Sequence, residues 1–315
     1  MVTDDSDCEY EPVTICVAAI CDGASILGAS DRMLTAGNVE FQPPATKIFQ
    51  LTTSIAVMVS GDMALQAEIL SGLRSHIQTL LSAEPKPDWF SVRDVAGWYA
   101  FYYEAIKLRR SEKDYLLPLG LTKETYLSRQ QELSPELVNR IATELINFSL
   151  PNTGVIVAGI DRMGAHLYIV SNGNITCQDA VGFAAIGAGA YHASSYFMFS
   201  GHARSGTLSK TLLLTYTAKR RAEVAPGVGV ETDMFVVGPS VGTYSEISSD
   251  IIKKFENIYT VTVKGHSRVD LKAEGAAHEY IQEITRKATA KPEQAAPEAI
   301  DGTPSVDEKD IDKPI

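Results

Sequence analysis

Thr14 stands where an acidic lead meets the first apolar run, TICVAAIC at residues 14–21. Its hydroxyl is the first group along the chain with the makings of a nucleophile. A threonine hydroxyl attacks poorly until a neighbouring base takes its proton. Equally, a β-branched residue opening a strand needs no role beyond its conformational preference. Other reactive groups are few. Cys8, Cys16, Cys21 and Cys177 are too scattered for a disulfide framework, and Cys16 and Cys21 lack CxxC spacing. Cys16 falls inside the apolar run, which suits a small buried hydrophobe. The six histidines form no HExxH or HxxxH pair, so no metal site is expected. The GVG of APGVGVETD, residues 225–233, lies outside any strand–GxGxxG–helix unit, which argues against nucleotide binding. No GxSxG elbow, Walker loop or kinase signature occurs.

The elements that would position Thr14 read clearly in places. TICVAAIC and SILGASD (25–31) flank a DG pair and predict a hairpin. TKIFQL (46–51) and SIAVMVS (54–60) repeat the pattern. From Met63 to Leu81 the period becomes helical, with Leu65, Ile69, Leu73, Ile77 and Leu80 on one face. EPKPDW ends that helix, and Ser91 caps a second running to about Arg110. Residues 111–135 read as an irregular insertion with short helical pieces. Ser134 and Pro135 start a helix ending near Phe148. Strands at 153–160 and 165–171, helices at 190–200 and 207–223, and a strand at 232–238 complete the order. Two hairpins, helices, a hairpin, helices and a strand imply an α+β sandwich of antiparallel sheets with helices outside. After about residue 264 a weak helix is expected over 270–288, and 289–315 should be a disordered acidic tail, with three Lys against seven Asp or Glu from Lys291 onward.

Composition narrows the function. With 315 residues, 45% of them hydrophobic, the chain can bury a sizeable core. A formal charge of −11 argues against nucleic-acid binding, which needs a clustered basic face. No apolar run reaches the roughly 20 residues of a membrane span. Asp4, Asp5, Asp7, Glu9 and Glu11 make the first residues the opposite of a secretory leader. A cytoplasmic protein with no membrane contact and no cofactor is expected.

TICVAAICDG, LGASDRMLTAG, ATKIFQL and VMVSGDMA together resemble the first third of proteasome-family subunits, and TICVA is similar to the bacterial Anbu-type homologues. The likeness covers roughly the first 80 residues and, in part, 180–238. It implies a four-layer αββα sandwich, the N-terminal-nucleophile hydrolase fold, over 14–263. It also implies a threonine-type peptidase or amide hydrolase. On this resemblance Thr14 is the nucleophile and Asp31 the acid near the end of the second strand. Gly37 is the loop glycine, Lys47 lies ten residues on, and Gly61, a further fourteen on, is the oxyanion donor. The base is the α-amine of Thr14, freed when residues 1–13 are removed as a propeptide. Its unperturbed pKa of about 7.7–8 leaves a useful neutral fraction at cellular pH. Lys47 is expected to lower the pKa of hydroxyl and amine, Asp31 to orient Lys47, and the Gly61 N–H to contribute about 3 kcal/mol to the transition state.

Taken singly these residues have ordinary roles: Asp31 and Arg32 a strand-end pair, Lys47 a solvated edge residue, Gly61 a strand-to-helix turn. Their joint spacing is what singles them out. The chain also departs from the family. Val13 replaces the usual glycine before the threonine; Ala188, in GAGA, stands for a serine; and Ala222 and Ala225 stand for an Asp and a Ser. Glu223 or Glu231 is a substitute carboxylate to consider, although Glu231 and Asp233 also suit a polar strand entry. The rival reading is a catalytically inactive proteasome-like subunit, an assembly or scaffold protein that keeps residues 1–13. Either way the resemblance implies a homo-oligomer, a ring or spiral, and for the enzyme a peptide or unfolded-protein substrate. No unfoldase is assigned.

Overall fold

The computed structural model describes residues 14–36, 39–41 and 46–289. The Val13–Thr14 bond, Gly37 and the 290–315 tail therefore lie outside the described residues. The chain divides into two compact units, residues 1–259 and 260–315.

The first unit is mixed α+β. In chain order it has strands β1 (Cys16–Cys21), β2 (Ser25–Asp31), β3 (Leu34–Ala36), β4 (Val39–Phe41), β5 (Ile48–Gln50) and β6 (Ile55–Gly61). Helices α1 (Met63–Ser82), α2 (Val92–Tyr115), α3 (Lys123–Ser128) and α4 (Pro135–Asn147) follow. Next come β7 (Thr153–Asp161), β8 (Gly164–Ser171), β9 (Asn174–Cys177) and β10 (Phe183–Ile186). Then come α5 (Ala190–Phe199), α6 (Leu208–Ala222), β11 (Thr232–Val237), β12 (Tyr244–Glu246) and the start of α7 (Ser249–Thr289).

Two five-stranded sheets carry the unit, ordered β10-β1-β2-β11-β12 and β5-β6-β7-β8-β9, with every pairing antiparallel. Alternation along a strand sends successive side chains to opposite faces, and β1 shows what that does here. Cys16, Ala18 and Ile20 join Met58, Ile156 and Phe235 between the sheets. Ile15, Val17 and Ala19 face Ala193, Phe197 and Leu214 of α5 and α6. On the far side, Val57 and Val59 of β6 pack with Leu65, Ile69 and Leu73 of α1 and with Tyr99 of α2. The layers are thus helices, sheet, sheet, helices. Because β1 is buried on both faces its sequence is apolar throughout, not alternating.

The turns are set locally. Asp22 and Gly23 take left-handed φ of 50° and 67°, which reverses β1 into β2. Asp62 caps α1 by accepting from the Leu65 amide at 2.7 Å, and Ser134 caps α4, which has Pro135 in its first turn.

Several expectations need adjusting. The first strand starts at Cys16, so Thr14 lies two residues ahead of it instead of opening it. The second helix continues to Tyr115, and the insertion after it folds around a small core of Leu116, Leu121, Tyr126 and Ile141. β3, β4, β9, β10 and β12 were not foreseen; at three or four residues each, they are too short to carry a period. The second unit is described through residue 289 as the continuation of α7. Gly265 and Gly275 lie inside that helix, although each costs about 1 kcal/mol relative to alanine. Among the described residues no helix is long and apolar enough to cross a membrane.

Candidate active site

Three of the four expected site residues meet. The Thr14 hydroxyl donates to Asp31 Oδ1 at 2.5 Å and accepts from Lys47 Nζ. Lys47 Nζ also donates to Asp31 Oδ1, at 2.8 Å. Thr14, Asp31 and Lys47 are 1%, 0% and 2% exposed. A surface ion pair of this kind contributes little, but a buried one is strongly coupled to its surroundings because low dielectric magnifies both attraction and desolvation.

Each partner is placed by the sheets. Asp31 ends β2, paired with Thr232 of β11, and its own amide donates to the Ile15 carbonyl at 3.1 Å. Lys47 directly precedes β5, where its carbonyl accepts from the Val59 amide of β6 at 3.1 Å. The Cys16 thiol links the two sheets here, donating to the Val59 carbonyl at 3.4 Å. Burial pushes that thiol far above its ordinary range, with Lys47 opposing and Asp31 adding to the effect. Cys16 is therefore a neutral packing group beside the site, as its place in an apolar run implies.

Asp31 is gripped from several directions. Its Oδ1 accepts from Thr14, Lys47 and the Ile15 amide, the last at 3.1 Å. Its Oδ2 accepts from the amides of Met33 at 3.0 Å and Gly229 at 2.9 Å.

Gly61, the fourth expected residue, ends β6 opposite Thr153 with φ +93°. A side chain there would strike the Asn152 carbonyl, so glycine is required by both conformation and space. Val59, bonded to Cys16, lies two residues before Gly61, and Cys16 lies two after Thr14; the ends of β6 and β1 are neighbours.

The GAGA turn lies directly on Thr14. Gly187, at φ +94°, has no room for a Cβ against the Thr14 carbonyl and methyl, and the Gly189 amide donates to that carbonyl at 3.2 Å. A Cβ on Gly189 would lie 2.8 Å from the Ala222 methyl. Ala188 is half-buried in this turn, and Ala222 and Ala225 are buried on the outer face of the first sheet. All three bring methyls where a hydroxyl or carboxylate would offer hydrogen bonds.

Neither substitute carboxylate reaches Thr14. Glu223 binds Lys219 at 2.7 Å and Arg220 at 3.3 Å, while Glu231 is exposed. Asp233 pairs with Arg32 across β2 and β11 at 2.5 Å. Lys219 and Gly229, whose amide is on Asp31, were not singled out from sequence. The available signal was Lys219 and Glu223 at i,i+4 on a helix end, followed by PGVG; in a KRR run it reads as a solvated face.

A separate surface groove of about 620 Å³ is lined by Arg93, Trp98, Tyr168, Ile175 and Cys177 of α2, β8 and β9, none of which touches the Thr14 cluster. Among the described residues no group of three or more His, Cys, Asp or Glu is placed to hold a metal ion. Compared with protein-family models and with curated proteins, the chain has no significant match.

Proposed function

We propose that this chain is a proteasome-like threonine hydrolase of the N-terminal-nucleophile class, acting on peptide or other amide bonds. The observation that carries the reading is a buried hydroxyl bonded at once to a lysine ammonium and its aspartate partner, Thr14 with Lys47 and Asp31. The layered sheets, helices outside, are compatible with the αββα architecture of that class.

The chemistry follows from the groups present. With residues 1–13 removed, the Thr14 α-amine takes the hydroxyl proton as Oγ1 bonds to the substrate carbonyl carbon. Lys47, bonded to Asp31 and to the hydroxyl, is placed to stabilise the oxygen as it loses that proton. The carbonyl oxygen becomes an oxyanion, the role assigned to the Gly61 N–H. Collapse breaks the C–N bond, the α-ammonium returns its proton to the leaving amine, and an ester on Thr14 remains. Water, deprotonated by the same amine, attacks that ester; the C–Oγ1 bond breaks, the α-ammonium returns the proton to Oγ1, and the acid is released. While Val13 stays attached, the Thr14 nitrogen is a non-basic amide and the cycle cannot start.

The test is intact mass and N-terminal sequencing of protein from its own cells, with turnover of fluorogenic peptide amides by wild type and Thr14→Ala. A chain beginning at Thr14 whose turnover vanishes in the variant is the expected result. A chain retaining Val13 and inert toward amides favours the second reading, a non-catalytic assembly subunit. The methyls of Ala188, Ala222 and Ala225 are the observation on that side. Self-association into a ring or spiral belongs to both readings, and sedimentation showing only monomer would count against it.

A further inference from the structure

Lys219 is a second buried lysine, and the chemistry above makes no use of it. It sits in the last turn of α6, is 0% exposed, and is surrounded by three acceptors: Glu223 Oε1 at 2.7 Å, Gly229 O at 2.9 Å and Val230 O at 2.8 Å. An ammonium has three N–H groups, so its capacity is filled. Arg220 shares Glu223 through its other oxygen and also reaches Glu256 and the Tyr259 ring, while Arg221 lies over Tyr196. The groups acting on Lys219 are Glu223 and Arg220 on its own helix and Asp31 on β2, and burial lowers its proton affinity against the pull of both carboxylates.

The grip has a direction. Lys219 holds the carbonyls of Gly229 and Val230, and the amide of that same Gly229 donates to Asp31 Oδ2. Without a donor at 219 those two carbonyls would lose their shared partner beside the site, and the peptide would be free to turn away from Asp31.

We propose that Lys219 is a positioning residue for the Thr14 site: anchored by Glu223, it clamps the turn at 225–231 so that the Gly229 amide caps Asp31. Its consequence for Thr14 rests on the hydrolase reading; the clamp itself does not.

Amide hydrogen exchange by NMR on the full chain tests the clamp, comparing wild type, Lys219→Met and Glu223→Gln. The Gly229 amide should exchange about tenfold faster or more in Lys219→Met, with Ile156 in β7 unchanged, and less dramatically in Glu223→Gln. Should Lys219→Met loosen the whole fold, Glu223→Gln decides: local acceleration at Gly229 sustains the clamp, and none overturns it. A second arm acylates Thr14 with a β-lactone from about pH 6 to about pH 9, reading the mass of the Thr14 peptide in protein whose α-amine is free. Losing a positive charge near the site raises the pKa of the cations that remain, so half-maximal acylation should move to higher pH in Lys219→Met and return in Lys219→Arg. An unmoved profile overturns the influence on Thr14. No acylation of wild type at any pH overturns the hydrolase reading, and exchange at Gly229 then judges the clamp alone.

Discussion

Two lysines are buried beside the same sheet, each against a carboxylate, and they spend their protons differently. Lys219 gives one N–H to Glu223 and two to backbone carbonyls. Lys47 gives its bonds to Asp31 and a side-chain hydroxyl, with no backbone carbonyl accepting among the described residues. A saturated ammonium on main-chain acceptors fixes a backbone. An ammonium aimed at an ionisable side chain alters that side chain's chemistry. On this contrast rests the proposed division, in which the reaction draws on Lys47 and Lys219 only supports, for two residues that burial alone would class together.

The contrast breaks most sharply at the hydroxyl. Thr14→Ala and Lys47→Met should each lower amide turnover by about 10³-fold or more, with circular dichroism unchanged for the first. Lys219→Met should retain measurable turnover, and equal loss in all three would erase the distinction. The next largest effect is on stability. Asp31→Asn leaves the Lys47 ammonium buried without its counter-charge, and urea unfolding should show a loss of about 3–5 kcal/mol. A cost under about 1 kcal/mol would mean the pair is solvated.

Lys219 sharpens the comparison through pH. Burial lowers its folded pKa below the ordinary 10.5, so between the two values the unfolded chain holds more protons than the folded one. The cost of the buried charge is present below the folded pKa and is relieved as pH rises through it. Wild type should therefore gain stability relative to Lys219→Met as pH climbs toward 10.5, by up to about 1.4 kcal/mol per pH unit. Urea titrations near neutrality and at alkaline pH check the sign; a falling difference contradicts it. The smallest effect lies far from both lysines. Ser134→Ala should cost about 1 kcal/mol through the lost α4 cap and leave Thr14 chemistry untouched.

What the sequence revealed follows the same division. Asp31 and Lys47 came from the family resemblance, whose fixed spacing along one segment, from the hairpin after the DG turn to the KIF strand, carries them together; singly, each reads as ordinary. Lys219 was not legible: Lys-Arg-Arg before a Glu describes a solvated helix end, and only packing against the 225–231 turn buries the first of the three. Helix α2 outran its expected end because nothing between Arg110 and Tyr115 breaks it. Edge strands such as β9 and β12 are held by pairing with longer partners, β8 and β11, which local composition does not encode. Gly61 was found for its place in the spacing, yet its positive φ and the close Asn152 carbonyl would demand a glycine even in an inert protein.

One detail of Asp31 reaches further. A carboxylate offers roughly four lone-pair positions, and here Oδ1 serves Thr14, Lys47 and Ile15 while Oδ2 serves Met33 and Gly229. More donors crowd the group than it has places. Losing the hydroxyl from Oδ1 still leaves the anion with Lys47, Ile15, Met33 and Gly229, so a proton surrendered elsewhere does not leave Asp31 short of partners.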